Sequence, residues 1–268
     1  MKLYLGTHRP TWLTDTAMPP LMVSLNTMPK RAPWRARTSW FDDSGGFTEL
    51  QKYGRWRTTA AQHVERCAAI VERVGMVEYL SPQDWMCEPV VIAGGSFKRV
   101  SFAGTGLSIG EHQERTVTNY LELVDHASEL PWVPVLQGWD VDDYHLCADL
   151  YASAGVDLAA QPLVGVGSVC RRESMPEAIE IMRSLADRGL SLHGFGFKQE
   201  GIAACWPWMT SADSMAWSYN ARADARRGIR RGCTRDLSCA NHQHYALDWW
   251  RNTVDQVAPL QLTIDVCA

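Results

Sequence analysis

Short apolar runs alternate with amphipathic stretches along the whole chain. Runs bounded by polar or turn residues predict strands at Lys2–Leu5, Leu21–Asn26, Ser39–Asp43, Val77–Leu80, Val90–Ala93, Val133–Gln137, Leu163–Val166, Ser191–Phe197 and Met209–Ala212. Three- and four-residue spacing predicts helices at Thr58–Val74, Gln113–Ala127, Asp140–Ala154, Met175–Arg188 and Tyr245–Val257. In the first helix the expected buried stripe is Ala61, Val64, Ala68 and Val71; in the helix from Met175 it is Met175, Ile179, Met182 and Leu185. Gly155 and Gly189 stand where helix C-caps belong. Strands and helices that alternate this way favour a parallel sheet, and about eight strands suggest an α/β fold of the (β/α)8 TIM-barrel kind. A doubly wound open sheet is the alternative. No repeat, low-complexity tract or linker divides the chain, so residues 1–268 are expected to form a single domain.

Composition narrows the picture. With 46% hydrophobic and 21% charged residues the chain reads as an ordinary folded protein. Its 26 Lys and Arg against 30 Asp and Glu give a net charge of −4, which argues against a general nucleic-acid coat and leaves room for a local basic groove. No apolar run approaches the ~20 residues of a membrane span, and the opening MKLYLGTHRPTWL reads as a strand entering a loop rather than a secretory signal. Most of the eight cysteines sit singly in apolar settings, the usage of reduced thiols, so an intracellular, cytoplasmic location is expected. Twelve tryptophans suit either stacking on flat rings or a bulky core.

In a barrel, chemistry gathers at the C-terminal ends of the strands, and polar clusters fall there. Asp43, Ser44, Gly45 and Gly46 end one apolar strand; the glycines permit a tight turn with amides open to a ligand, or the segment is a plain Asx turn. Gln137 and Gly138 end another, where a side-chain amide can meet a heterocycle edge or cap the strand. Gly165, Gly167 and Ser168 bring backbone close to a ligand or to a neighbouring strand. Asp213 is a candidate carboxylate or a helix N-cap. Asp84 and Glu88 lie among aromatic and apolar residues, a setting that shifts carboxylate pKa values, although Pro82 and Pro89 also suit a surface turn.

Two further clusters stand out. Arg222, Arg226, Arg227, Arg230, Arg231 and Arg235 concentrate cations that pair well with phosphates, or form a solvated helix face. Lys30, Arg31, Arg35 and Arg37, interleaved with Trp34 and Trp40, suit a nucleic-acid strand or an ordered loop. Finally, Cys233, Cys239 and His242, with His244 as a fourth candidate, have the spacing of a tetrahedral zinc site within a segment at about 230–250.

The order of these pieces, DSGGF (Asp43–Phe47), LQG (Leu136–Gly138), GVGSV (Gly165–Val169), HGFGF (His193–Phe197), Asp213-Ser214 and the late Cys/His cluster, resembles the tRNA-guanine transglycosylase superfamily. The stretches PQDWMCEP, SADSMAWS and CANH, and the absence of an appended RNA-binding domain, look closer to its DNA-directed, DpdA-like branch. The resemblance implies a (β/α)8 barrel with a small zinc-binding segment near the C-terminus. It implies an enzyme, a pentosyltransferase that exchanges guanine in DNA for a 7-deazaguanine such as preQ0. By residue, it implies Asp213 as nucleophile, Asp43 in proton transfer, and Asp84 and Gln137 reading the base. Ser44, Gly45, Gly138, Gly167 and Ser168 would surround the base, with Ser168 where the family has a glycine. It implies structural Zn2+, with one departure: His242 stands where a cysteine is expected. The arginine run would grip phosphates while the target base leaves the stack. The same chemistry on tRNA, or a non-catalytic nucleic-acid-binding subunit of such an enzyme, are the alternatives. A homodimer or accessory proteins that open the duplex are compatible with all of these.

Overall fold

The computed structural model describes residues 1–97, 100–169, 175–229 and 238–265, with backbone only from residue 258 onward. Eight strands form one parallel sheet: β1 (Lys2–Thr7), β2 (Leu21–Ser24), β3 (Trp40–Asp43), β4 (Val77–Tyr79), β7 (Val135–Leu136), β8 (Val164–Val166), β9 (Leu192–Gly194) and β10 (Ser211–Ser214). Their order is β4-β3-β2-β1-β10-β9-β8-β7. Between the edge strands stands a single parallel bridge, Leu80 to Trp132, where Leu80 N–H donates to Pro131 O (2.8 Å) and Val133 N–H to Leu80 O (3.0 Å). The expected α/β fold with a parallel sheet of about eight strands is therefore met; the sheet has the strand order of a TIM-like barrel but is not closed, since among the described residues only this bridge stands between β4 and β7.

Side-chain alternation divides the strands into two faces. Tyr4, Met22, Phe41, Val133 and Leu163 form a small core of their own with Phe195, the filling of the barrel interior. Leu3, Leu5, Leu21, Val23, Trp40, Leu136, Val164, Leu192 and Ala212 join the larger core beneath the helices. Burial on both faces is why these strands read as short continuous apolar runs.

The helices are α1 (Gly46–Tyr53), α2 (Ala60–Val74), α3 (Pro89–Ala93), α4 (Ile109–His126), α5 (Val141–Ser153), α6 (Met175–Ala186), α7 (Gln199–Cys205), α8 (Ala216–Arg226) and α9 (Gln243–Asp265). Helix α2 starts with a capping box between Thr59 and Gln62, but its buried face is Ala60, His63, Cys67, Ile70 and Val74. The expected stripe lies one residue off: Ala61 is exposed, and Val64 and Val71 are only half-buried. A buried histidine displaced the apolar pattern. Helix α4 begins at Ile109, before the expected Gln113, because Ser108 and Glu111 form a capping box. Met182 and Leu185 of α6 are buried as expected, and Gly155 and Gly189 take left-handed φ values of 83° and 80° after their helices.

Other expectations fail. Val90–Ala93 is not a strand: Pro89 opens α3 there, a position where its missing N–H costs nothing. A hairpin, β5 (Gly95–Phe97) with β6 (Val100–Phe102), follows unforeseen. The strand expected at Met209–Ala212 is shifted to Ser211–Ser214, because Trp206–Trp208 forms a 3-10 turn ahead of it. None of the twelve tryptophans is exposed, and Trp40 is fully buried with its Nε1 donating to Gly75 O at 2.8 Å. Trp40 therefore packs the core and offers no surface for stacking. Among the described residues no helix is long and apolar enough to cross a membrane.

Candidate active site

The C-terminal ends of the strands surround a cavity of about 260 Å³. That is small beside the ~300–1,000 Å³ of drug-sized sites and suits one heterocycle with part of its sugar. Asp43, Ser44, Asp84, Gln137, Gly167, Ser168 and Asp213 line it together with Glu88, His8, Phe195, Gly196 and three methionines, Met22, Met86 and Met215. Residues spread over the whole sequence thus converge as expected.

Alternation places the two strand-borne carboxylates. Phe41 points into the barrel, so Asp43 does too, at the mouth. Its Oδ1 accepts from Gly45 N–H at 2.9 Å, so the Asx turn is real and coexists with a place in the cavity. Gly45 has φ +83°, and a Cβ there would lie 2.1 Å from Asn26 Nδ2. Burial, and the charge of Asp213, raise the Asp43 pKa against the hydrogen bonds from Gly45 and Ser24. Asp213 is a strand residue, paired with Tyr4 of β1, and not a helix N-cap. Its Oδ1 accepts from Gly196 N–H at 2.7 Å and lies 3.5 Å from His193 Nε2.

Asp84 sits on a segment without regular structure, residues 81–88, yet that segment is pinned. Trp85 N–H donates to Thr116 Oγ1 (2.9 Å), Gln83 N–H to Asn119 Oδ1 (2.8 Å), and Met86 O meets His112 Nδ1 (2.8 Å), all on α4. This is a braced wall of the site and not the alternative surface turn. Gln137 Nε2 donates to Asp84 Oδ2. Ser168 Oγ lies 2.7 Å from Gln137 Oε1 and 3.0 Å from Glu88 Oε2, and accepts from Cys87 N–H at 2.9 Å. A hydrogen-bonded chain, Asp84–Gln137–Ser168–Glu88, therefore runs along one side of the cavity. Burial, reinforced by Asp43, pushes the Asp84 pKa up to about 7, despite the lowering effect of Gln137. Ser168 has φ +56°, a left-handed value that a glycine adopts freely. Serine bears that strain while its hydroxyl ties three partners together.

Some expected residues lie elsewhere. Gly45 and Gly138 do not line the cavity; a Cβ on Gly138 would meet Asp143 Cβ at 2.8 Å, so that glycine serves the packing of α5. Gly167 does line it, and a Cβ there would lie 2.2 Å from Gln137 Nε2. Arg222, Arg226 and Arg227 are exposed on α8 and do not line the cavity; Arg226 stands about 15 Å along the helix from Ala216 at ~1.5 Å per residue. Arg230, Arg231 and Cys233 lie outside the described residues. Sequence reasoning gave no role to His193 or Gly196, while Glu88 was already a candidate beside Asp84. The HGFGF stretch held the first two, and the parity of β9 would have pointed His193 inward.

The late Cys/His cluster is assembled in part. One ligand atom each from Cys239, His242 and His244 lies within 4.8 Å of the others, so these three can hold a metal ion. The segment is fastened beside the cavity: Asn241 Oδ1 is 2.7 Å from His8 Nε2, and Ser218 Oγ donates to Ala240 O at 3.2 Å.

Comparison with known proteins adds three findings. A family model described as DpdA, DeoxyPurine in DNA protein A, matches residues 1–266. A search of curated proteins finds no match. Among solved structures, a protein from Coccidioides immitis described as a fructose-1,6-biphosphate aldolase superposes with a TM-score of 0.51 at 8% identity, over 97% of this chain and 92% of that one. The YdjI aldolase of Escherichia coli K12 gives a TM-score of 0.43 at 10% identity, over 96% and 90%. At such identity the first shows likeness of fold only.

Proposed function

Because the chain belongs to the DpdA family, DeoxyPurine in DNA protein A, we propose that it is a DNA-guanine transglycosylase that exchanges guanine for a 7-deazaguanine of the preQ0 kind. The family supports a transferase-type enzyme with DNA as substrate. One observation carries the finer reading: a single cavity holds a strand-anchored carboxylate, Asp213, facing a hydrogen-bonded row, Asp84–Gln137–Ser168–Glu88, able to read the polar edge of a purine.

In this reading Asp213 Oδ attacks C1′ of the target deoxyguanosine. The N9–C1′ bond breaks, the electron pair leaves with guanine, and a glycosyl ester forms on Asp213. Asp43 supplies the proton that guanine needs to leave. The incoming deazaguanine then attacks C1′ through N9 and returns its N9 proton to Asp43, and the ester bond breaks. The ester carries the bond energy of the broken N-glycosidic bond over to the new one, so no nucleotide cofactor is consumed. The Gly196 amide holds the Asp213 carboxylate in line. Met22, Met86, Met215 and Phe195 keep water from the ester, which would otherwise hydrolyse to an abasic site. A base within a duplex cannot reach such a cavity, so it must be flipped out.

The donor set Cys239, His242 and His244 fits Zn2+. Zinc there would be structural, fastening the segment that touches His8 at the mouth. The exposed arginines of α8 would act on the DNA backbone outside the cavity.

The test is base exchange by the purified chain with labelled guanine in DNA and in tRNA, supplied with 7-cyano-7-deazaguanine. Release from DNA alone, lost in Asp213→Ala, supports the reading. Release from tRNA alone would make it a tRNA enzyme. Release from neither, with tight DNA binding, would make it a binding subunit.

A further inference from the structure

A second cluster of metal-ligating side chains lies apart from the cavity, on the other face of β3. Asp42 alternates with Asp43 and so points outward, under α2. His63 and Cys67 are one turn apart on α2 and share its buried face. One ligand atom from each of the three lies within 4.8 Å of the others. Relative exposures are 0% for Asp42, 4% for His63 and 0% for Cys67.

The hydrogen bonding of this cluster is incomplete. Asp42 Oδ1 accepts from Ser81 N–H, but Asp42 Oδ2 has no hydrogen-bond partner. Cys67 Sγ is 3.7 Å from His63 Nε2, which in turn is 3.1 Å from Ser81 O. Arg66 is the nearby cation, and its Nη2 is spent on Leu25 O. The orphaned oxygen thus has no hydrogen-bond donor of its own, while a nitrogen and a sulfur able to ligate a metal lie close by. A buried polar atom without a partner costs about 1–3 kcal/mol, and a cation shared among these donors removes that cost.

We propose that Asp42, His63 and Cys67 form a buried site for a divalent, borderline-soft cation, with Zn2+ as the reference ion. Nitrogen, sulfur and oxygen donors together are a zinc set. Bonds of about 2.0–2.3 Å around a tetrahedral ion separate the ligand atoms by about 3.3–3.8 Å, so the 3.7 Å between Cys67 and His63 already fits. A carboxylate and a thiolate balance the two charges of the ion, and binding releases the protons that the thiol and carboxyl carry without it. For this His63 Nε2 gives up the proton it donates to Ser81 O, the imidazole taking its proton on Nδ1 instead, and the Ser81 carbonyl is left beside the ion. The site ties together β3, which carries Asp43, α2, and the segment that carries Asp84. It is separate from the Cys239 cluster and does not depend on the transglycosylase reading.

The test is metal content of the full-length chain, purified without chelators, followed by cobalt spectroscopy. Cys67→Ala should hold one zinc fewer per chain than the parent. In a Cys233→Ser, Cys239→Ser background, Co2+ should still give a thiolate-to-cobalt charge-transfer band, and that band should vanish on adding Cys67→Ala or Asp42→Asn. Equal zinc in parent and Cys67→Ala, or no thiolate band in a folded Cys233→Ser, Cys239→Ser chain, would overturn the proposal. Should Cys67→Ala fail to fold, Asp42→Asn read by the same band decides, since its amide still accepts from Ser81 N–H.

Discussion

Asp42 and Asp43 are neighbours on one strand and meet opposite surroundings. Asp43 faces the barrel mouth, takes the Gly45 amide and shares its cavity with Asp84, Glu88 and Asp213. Asp42 faces the helix layer, where burial pushes its pKa well above the usual carboxylate range and one oxygen lacks a partner. The two acids have the same chemistry, and the pleat alone separates them. Carboxylates that point into the barrel are available to a substrate, whereas the one that points outward can act only on the protein itself.

The largest effect that would break this comparison is at Asp213. Asp213→Ala should lower base exchange on the order of 10⁴-fold or more, the scale for losing a nucleophile, with thermal unfolding little changed. A variant that unfolds early instead would assign Asp213 to stability. Asp84 comes next. Its folded pKa of about 7 lies above the ordinary 3.8, so the folded chain holds a proton that the unfolded chain has lost across that interval. Stability contributed by Asp84 is thus full below about pH 4 and falls as pH rises to about 7, by roughly 4 kcal/mol at most. Denaturant unfolding from pH 4 to 8 should show this slope, and Asp84→Asn should reduce it, leaving the part that buried Asp42 and Asp43 contribute with the same sign.

Asp43→Asn sharpens the contrast. It should lower turnover by about 10²-fold, the scale of general acid–base catalysis, while Asp42→Asn leaves turnover within a few-fold and changes metal content instead. Steady-state kinetics of the two variants side by side checks this. Ser168→Ala is the smallest change: it keeps the left-handed backbone but removes the hydroxyl that joins Gln137, Glu88 and Cys87, and should cost about 1–3 kcal/mol in unfolding experiments. Ser168→Gly should cost less, because glycine relieves the φ of +56°.

Strand direction, strand number and most of the cavity were legible in the sequence because continuous apolar runs ending in Asp43, Gln137, Ser168 and Asp213 admit few arrangements of a parallel sheet. The α2 face was misplaced by one residue because its interior includes His63, a polar residue satisfied by Ser81 O and packed 5.7 Å from the Trp132 ring. Helix α3 was read as a strand because Val90–Ala93 is too short for periodicity to distinguish the two. The nearness of His193 to Asp213 was harder to read: the parity of β9 points it inward, but only the pairing of β9 with β10 brings it to 3.5 Å from Asp213. The arginine run stands out by composition, which says nothing about whether its residues line the cavity, and none of the described ones does.

The most direct test of the central claim is to look for the covalent intermediate. The chain would be incubated with guanine-containing DNA and no acceptor base, denatured, digested and analysed by mass spectrometry. The account predicts a deoxyribosyl adduct on the peptide that contains Asp213, which disappears when a 7-deazaguanine is added and never forms in Asp213→Ala. An adduct mapped to Asp43 or Asp84, or base exchange in Asp213→Ala at the parent's rate, would contradict it.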